Sequence, residues 1–326
     1  MDNKYINIMT SCDEKLAKQL PVLLQSIADN ITTHPVKFFL VHRNVTAKTI
    51  DLLKELCAYY GTITFFDIVV TNPEVYDELA SHGGGGAGEA YYSLCAHELL
   101  DEGIDRVLYL AAGDTLVLKN IDNYYFGDFQ DKSLLVTLGR YKVLENRAVL
   151  YTSEDFEIKE FREEILTGVF NSGSYVLNLN KMRKEGYSME DYLYLSKTLV
   201  DTMGNLSKAY LGDQGFLSAA YVGDIKYYNF PQVADLWYMP FDFGIWYFDQ
   251  KKEMPLYEPH IVHFSGVSYK PWDGTYPIFL KEFQVREDLR SLKELKLGQA
   301  EYYYMWHEYA IKAAKSMKLM KVWPER

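Results

Sequence analysis

The sequence predicts an α/β protein: a mixed, mostly parallel sheet flanked by helices, with a helical C-terminal tail. Three observations carry this. Short apolar runs of strand length alternate with longer segments of helical periodicity through residue 110, the pattern of βαβ units. No apolar run approaches the ~18 residues of a membrane span. The composition, 48% hydrophobic and 24% charged, is ordinary for a globular protein with its own core.

The elements follow in order. Residues 5–10 (YINIMT) read as a strand, and residues 13–28 then place Leu16, Leu20, Leu23, Leu24 and Ile27 at helical spacing. Residues 37–41 (KFFLV) form a second strand, 47–60 repeat the helical pattern, and 62–69 (TITFFDIV) give a third strand. Residues 72–81 and 90–100 read as helices, and 106–110 (RVLYL) as a fourth strand. Beyond residue 130 the alternation loosens. Residues 174–179 and 261–264 look like strands, and 189–200 and 214–221 look like helices. Residues 236–248, broken by Pro240 and Gly244, read as a packed loop, and residues 276 to the end as mostly helical. The expected division is an α/β domain over 1–275 and a helical extension over 276–326.

Charge and cysteine usage narrow the function. The chain carries 34 basic and 45 acidic residues, a net charge of −11, which makes it a poor candidate for a nucleic-acid partner, and none is expected. A small anionic ligand still fits where a metal or a few lysines supply local positive charge. Cys12, Cys57 and Cys95 stand far apart with no Cys-x-x-Cys, as expected of reduced thiols in a cytoplasmic protein without structural zinc. The N-terminus (MDNKYINIMT) lacks the charged and apolar regions of a signal peptide. The 28 tyrosines suit sugar recognition, since a ring packs on C–H groups while its hydroxyl hydrogen-bonds; packing accounts for most of them.

Ligands of parallel sheets sit beyond the carboxyl ends of the strands. The loops after Thr10 and Leu110 are therefore the places to search. His82 to Ala90 (HGGGGAGEA) contains a formal G-x-G-x-x-G, but a dinucleotide fingerprint needs a strand immediately before its glycines. A predicted helix stands there instead, so the run reads as a loop at the mouth of a site. Asp114, in LYLAAGDTLVL, is either a turn former or a carboxylate placed to hold a divalent cation. Asn171 and Ser172 precede a strand; Asp213 opens a helix, where an N-cap role would suffice, and Gln214 follows it. His263 lies in an apolar strand, with Gly266 and Lys270 after it. A lone histidine there is commonly a core residue, yet imidazole nitrogen suits a metal and lysine suits phosphate. Lys312 to Arg326 (KAAKSMKLMKVWPER) holds five basic residues and one acidic, interleaved with Met317, Leu319, Met320, Val322 and Trp323. This composition suits either an amphipathic segment on an anionic membrane or a terminal helix packed on its own domain.

Taken in order, TSCDEKLAKQL, EAYYSLCAHELL before RVLYL, DTLVLKNI, FNSGSYVLNLNKMR, DQGFL and HFSGVSYKPW resemble the family 8 glycosyltransferases, bacterial enzymes of the GT-A fold that transfer a hexose from a UDP-sugar. The resemblance spans residues 6–272. It implies that Ser11 and Asp13 face uracil and ribose, and that Asp114 and His263 bind the metal, manganese or magnesium. Gly266 and Lys270 would contact the diphosphate, and Asn171, Asp213 and Gln214 would line the donor sugar. Three departures stand out. The family's D-x-D reads Ala112-Gly113-Asp114 here, Ser93 occupies a position commonly held by arginine, and one extra residue separates Gly266 from Lys270. The expectation is a retaining, metal-dependent hexosyltransferase using UDP-glucose or UDP-galactose and a carbohydrate-bearing acceptor. The rivals are a non-catalytic nucleotide or glycan binder, favoured by Ala112 and Ser93, and a nicotinamide oxidoreductase resting on the glycine run alone.

Overall fold

The computed structural model describes residues 4–82, 87–138, 170–203, 212–221, 223–227, 233–235, 260–264, 270–272 and 300–320. Four strands, β1 (Ile6–Ser11), β2 (Val36–His42), β3 (Ile63–Val69) and β4 (Arg106–Leu110), lie parallel in the order β3-β2-β1-β4. Every residue of β1 is buried, as a central strand covered on both faces requires. The sheet continues through β7 (Phe170–Asn178) and β6 (Leu134–Leu138), each antiparallel to its neighbour, to β8 (Ile225–Tyr227), parallel to β6. A smaller sheet places β10 (Ile261–His263) between β5 (Thr115–Val117) and β9 (Val233–Asp235).

Helices cover both faces. α1 (Glu14–Ala17), α2 (Leu20–Asn30) and α3 (Ala47–Tyr60) bury Leu20, Leu23, Leu24, Ile27, Leu53 and Leu56 against one face. On the other lie α4 (Glu74–His82), a 3₁₀ turn (Gly88–Cys95) and α5 (Ala96–Leu99). α6 (Asp122–Tyr125) and α7 (Leu179–Glu185) are short; α8 (Met189–Met203) and α9 (Asp213–Ala220) complete the second layer. On α7, Arg183 donates to the carbonyls of His97, Leu100, Asp101, Glu102 and Ile104. One guanidinium thus fixes the loop that delivers β4.

Several sequence expectations are corrected. The single helix over 13–28 is two, because Pro21 sits in the first turn of α2, where its missing N–H costs nothing. The helix over 90–100 is mostly the 3₁₀ turn. Asn171 and Ser172 lie inside β7 rather than ahead of it, and β6 carried no strand prediction. The packed loop over 236–248 lies outside the described residues.

The C-terminal helix α10 (Ala300–Leu319) docks on α2. Asn30 donates to the Tyr309 hydroxyl at 2.8 Å, Lys312 pairs with Asp29 at 2.8 Å, and Trp306 is buried against Val22, Leu116, Val262 and Phe264. No helix among the described residues is long and apolar enough to cross a membrane. The three cysteines are free and buried. Burial raises each thiol, Cys57 to about 12 and Cys95 to about 11, so all three stay protonated and unreactive at neutral pH.

Candidate functional site

The strand order reverses beside β1, whose two neighbours are β2 and β4. Such a switch point opens a crevice beyond the carboxyl ends of the strands. The chain segments leaving β1 and β4 carry Ser11, Cys12 and Asp13 on one side and Ala111 to Asp114 on the other. Asp13 caps α1, its carboxylate accepting from the Leu16 amide at 2.8 Å. Ser11 is buried, and its hydroxyl meets that of Tyr109 at 3.1 Å.

The segment after β4 is held from two sides. The Ala111 amide donates to the Gly173 carbonyl of β7 at 3.0 Å, and the Phe264 amide donates to the Asp114 carbonyl at 2.7 Å. The second bond extends the β5–β10 pairing, in which His263 faces Thr115. Asp114 and His263 thus come from chain segments about 150 residues apart and meet through one ladder. Lys270 closes the group. Its ammonium lies 2.8 Å from the Asp114 carboxylate and donates to the Phe264 carbonyl. Burial pushes the Asp114 carboxyl above the ordinary carboxylate range, and Lys270 draws it back down. The His263 ring lies directly over Gly173: a Cβ there would stand 2.2 Å from Nδ1. Only glycine allows that approach.

Tyrosines pack in the core between β4 and β7. Tyr109 and Tyr175 stack at 5.0 Å between ring centroids. Ser93, fully buried, bonds the Tyr175 hydroxyl at 2.6 Å. Where the family commonly places an arginine, this chain has a neutral pair of hydroxyls. Burial, with added repulsion from the Asp213 carboxylate at the start of α9, raises Tyr91, Tyr109 and Tyr175. Asn171 lies on β7 and Gln214 on α9; their side chains, and Gly266 altogether, fall outside what is described.

The expected cation can be tested against these residues. Ala112 is buried and offers only a methyl. Among the described residues no three His, Cys, Asp or Glu side chains gather as a metal site. Of the residues the resemblance assigns to the metal, one carboxylate and one imidazole are described, Asp114 and His263. By donor type they suit a cation which takes its other ligands from a diphosphate and water, a habit of magnesium-like ions at phosphate sites.

A second feature lies beyond the ends of β1 and β2, absent from the sequence reading. A cleft of about 410 Å³ is lined by Asp13, Arg43, Asn44, Asp77, Gly88 and Glu89, among others. Arg43 grips Asp77 with both terminal nitrogens, at 2.6 and 2.7 Å, and its Nε lies 2.8 Å from Glu89 and 3.1 Å from the Tyr92 hydroxyl. The guanidinium holds the Asp77 carboxyl below its ordinary range. No local signal marked Arg43, because its partners lie 34 and 46 residues away. The glycine run beside this cleft follows α4, not a strand, so the dinucleotide context is missing.

Comparison with known proteins agrees with this architecture. The family model described as Glycosyl transferase family 8 matches residues 7–275. The crystal structure of the galactosyltransferase LgtC with donor and acceptor sugar analogs aligns at a TM-score of 0.61 and 18% identity, over 85% of this chain and 94% of that one. Mouse xyloside xylosyltransferase 1 aligns at 0.54 and 16% identity, over 79% and 97%. The glycosyltransferase GlyE of Streptococcus pneumoniae aligns at 0.55 and 15% identity, over 86% and 64%. No curated protein matches the chain. At these identities the solved structures speak for the fold, which is the GT-A fold. With its family model covering most of its length, the chain belongs to glycosyltransferase family 8.

Proposed function

We propose that the chain is a retaining hexosyltransferase that moves glucose or galactose from a UDP-sugar to a glycan, lipid-linked or protein acceptor. The observation that supports the reading is the Lys270–Asp114 ion pair, next to the ladder that pairs His263 with Thr115, in a family 8 chain. The unit doing this chemistry is residues 1–275, with 276–326 as an extension.

The chemical problem is charge that builds on the diphosphate as it leaves an oxocarbenium-like sugar. Lys270 supplies a fixed positive group for those oxygens, and Gly266 lets the chain pass close to them. Asp13 and Ser11 bind the nucleoside. Asn171, Asp213 and Gln214 hold the sugar. A divalent cation, Mn²⁺ or Mg²⁺, held by Asp114 and His263 would add Lewis-acid stabilisation of the leaving group.

Thermal unfolding with UDP, alone and with manganese, tests this. A ligand that binds only the folded state adds about 2.7 kcal/mol at one hundred times its Kd. A shift that requires both is expected. A UDP shift indifferent to manganese would favour the non-catalytic binder, for which Ala112 and Ser93 speak; no shift would remove the nucleotide site.

We also assign peripheral contact with an anionic membrane, on the cytoplasmic face, to Lys312 through Arg326. Within α10, Lys315, Lys318 and Leu319 are exposed, as is the preceding Ile311, whereas Met317 and Met320 pack inward. Exchanging Lys315 and Lys318 for glutamate should abolish sedimentation with anionic vesicles while the melting temperature holds. Unchanged sedimentation would refute the assignment.

A further inference from the structure

The large sheet ends in two unlike edges. One is β8, only three residues long. The other is β3, seven residues long, and among the described residues no strand pairs with its outer side. Proteins blunt such an edge with shortness, lysine, proline or a bulge, because its free N–H and C=O groups otherwise recruit another strand. β3 has none of these: it reads ITFFDIV, and its register with β2 runs unbroken from Ile63 to Val69. Apolar side chains are left partly uncovered along it. Phe65, Phe66 and Ile68 are half-buried, and Val69 is 54% exposed. Its one charge, Asp67, is already engaged by His42 of the same chain at 2.6 Å.

Hydrogen-bond parity fixes what this edge offers. The Val36 amide donates to the Thr62 carbonyl at 2.9 Å, and the Val70 amide to the His42 carbonyl at 2.8 Å. In a regular parallel ladder the even-numbered residues of β3 therefore bond β2, and the N–H and C=O of Ile63, Phe65, Asp67 and Val69 face outward. A second copy of β3, antiparallel about a two-fold axis at Phe66, satisfies all four. Ile63 meets Val69 of the copy and Phe65 meets Asp67 of the copy, each pair exchanging both bonds. Phe66 meets its own equivalent in the close position between bonded pairs, where an aromatic pair is favourable. Other registers are worse. An axis at Asp67 would set the two carboxylates opposite each other, which repels. An axis at Phe65 would leave Val69 facing Gly61, outside the strand. A chain of net charge −11 also repels its own copies except where carboxylates are sparse, and β3 carries only one.

We propose that β3 pairs with β3 of a second copy of this chain, antiparallel and centred on Phe66, so that two seven-stranded sheets become one. One strand from each partner makes a small interface, so the dimer is weak and concentration-dependent.

Sedimentation velocity of the full chain across about a hundredfold range of concentration tests it. The mass should rise from that of one chain to that of two. The double variant Thr64→Lys, Val69→Lys, at two exposed positions, should stay at one chain throughout. The register has its own test. Under mild oxidation Phe66→Cys should give a disulfide-linked dimer. Thr64→Cys should not, because the two copies of that position would lie about 13 Å apart along the strands; the native cysteines are buried and do not compete. If Phe66→Cys does not fold, the lysine variant decides. Wild-type protein that stays at one chain at every concentration overturns the proposal, as does a dimer that survives both lysines. Folded Phe66→Cys that does not link, or Thr64→Cys that links equally well, overturns it too.

Discussion

Asp114→Ala should lower the rate of UDP-hexose hydrolysis and transfer by about 10²- to 10³-fold, the usual cost of removing one group that stabilises charge on a leaving group. By resemblance the carboxylate is the one left of the family's pair, since Ala112 takes the other position, and among the described residues no cluster of three His, Cys, Asp or Glu stands in for it. The fold should tolerate the change. Burial raises the Asp114 carboxyl, so its ionised form is a cost to the folded state: the contribution is greatest below the ordinary carboxylate pKa and lost as pH rises through the raised one. The alanine variant should therefore unfold within a few degrees of the wild type at neutral pH, while its manganese-dependent UDP shift disappears. His263→Ala should behave alike. Full activity in both variants would show that this pair is not the metal site.

Gly173→Ala should damage stability and activity together. The new Cβ would lie 2.2 Å from the His263 Nδ1 and 2.4 Å from two ring carbons. Both residues sit in strands, so the backbone has little room to yield, and overpacking of this kind costs about 1–3 kcal/mol. In a chain of this size that is a fall in melting temperature of about 1–4 °C. The ring should be displaced from its seat on Gly173, and the manganese-dependent UDP shift should shrink. A double variant supplies the control. With His263 also replaced by alanine the clash is gone, so stability should return although activity does not. An unchanged melting temperature in Gly173→Ala alone would mean that the ring does not rest on Gly173.

Much of this was legible in the sequence. The strands β1 to β4 and the helices between them follow from periodicity alone, because each is a local run whose apolar residues must face one core. What the topology adds is the pairing of distant segments: the backbone of Asp114 and Thr115, after β4, is bonded to that of His263 and Phe264. Reading became unreliable where the sheet turns antiparallel. β6 is a five-residue run, too short to show a period of its own. The broken helix at Pro21 and the 3₁₀ turn over Gly88–Cys95 were lost because a helical pattern does not say which hydrogen bonds close it.

The sequence by itself determined the fold class, the family and the residue types of the site, since these depend on local spacing and on motifs in fixed order. Tertiary structure alone decided that Lys270 pairs with Asp114, that Tyr175 bonds Ser93, and that one guanidinium binds both Asp77 and Glu89 at the cleft beyond β1 and β2. Each is a contact between side chains 34 to 156 residues apart. No local pattern encodes such pairs, because the energy that selects them is gained only when the sheet has brought both partners to the same edge.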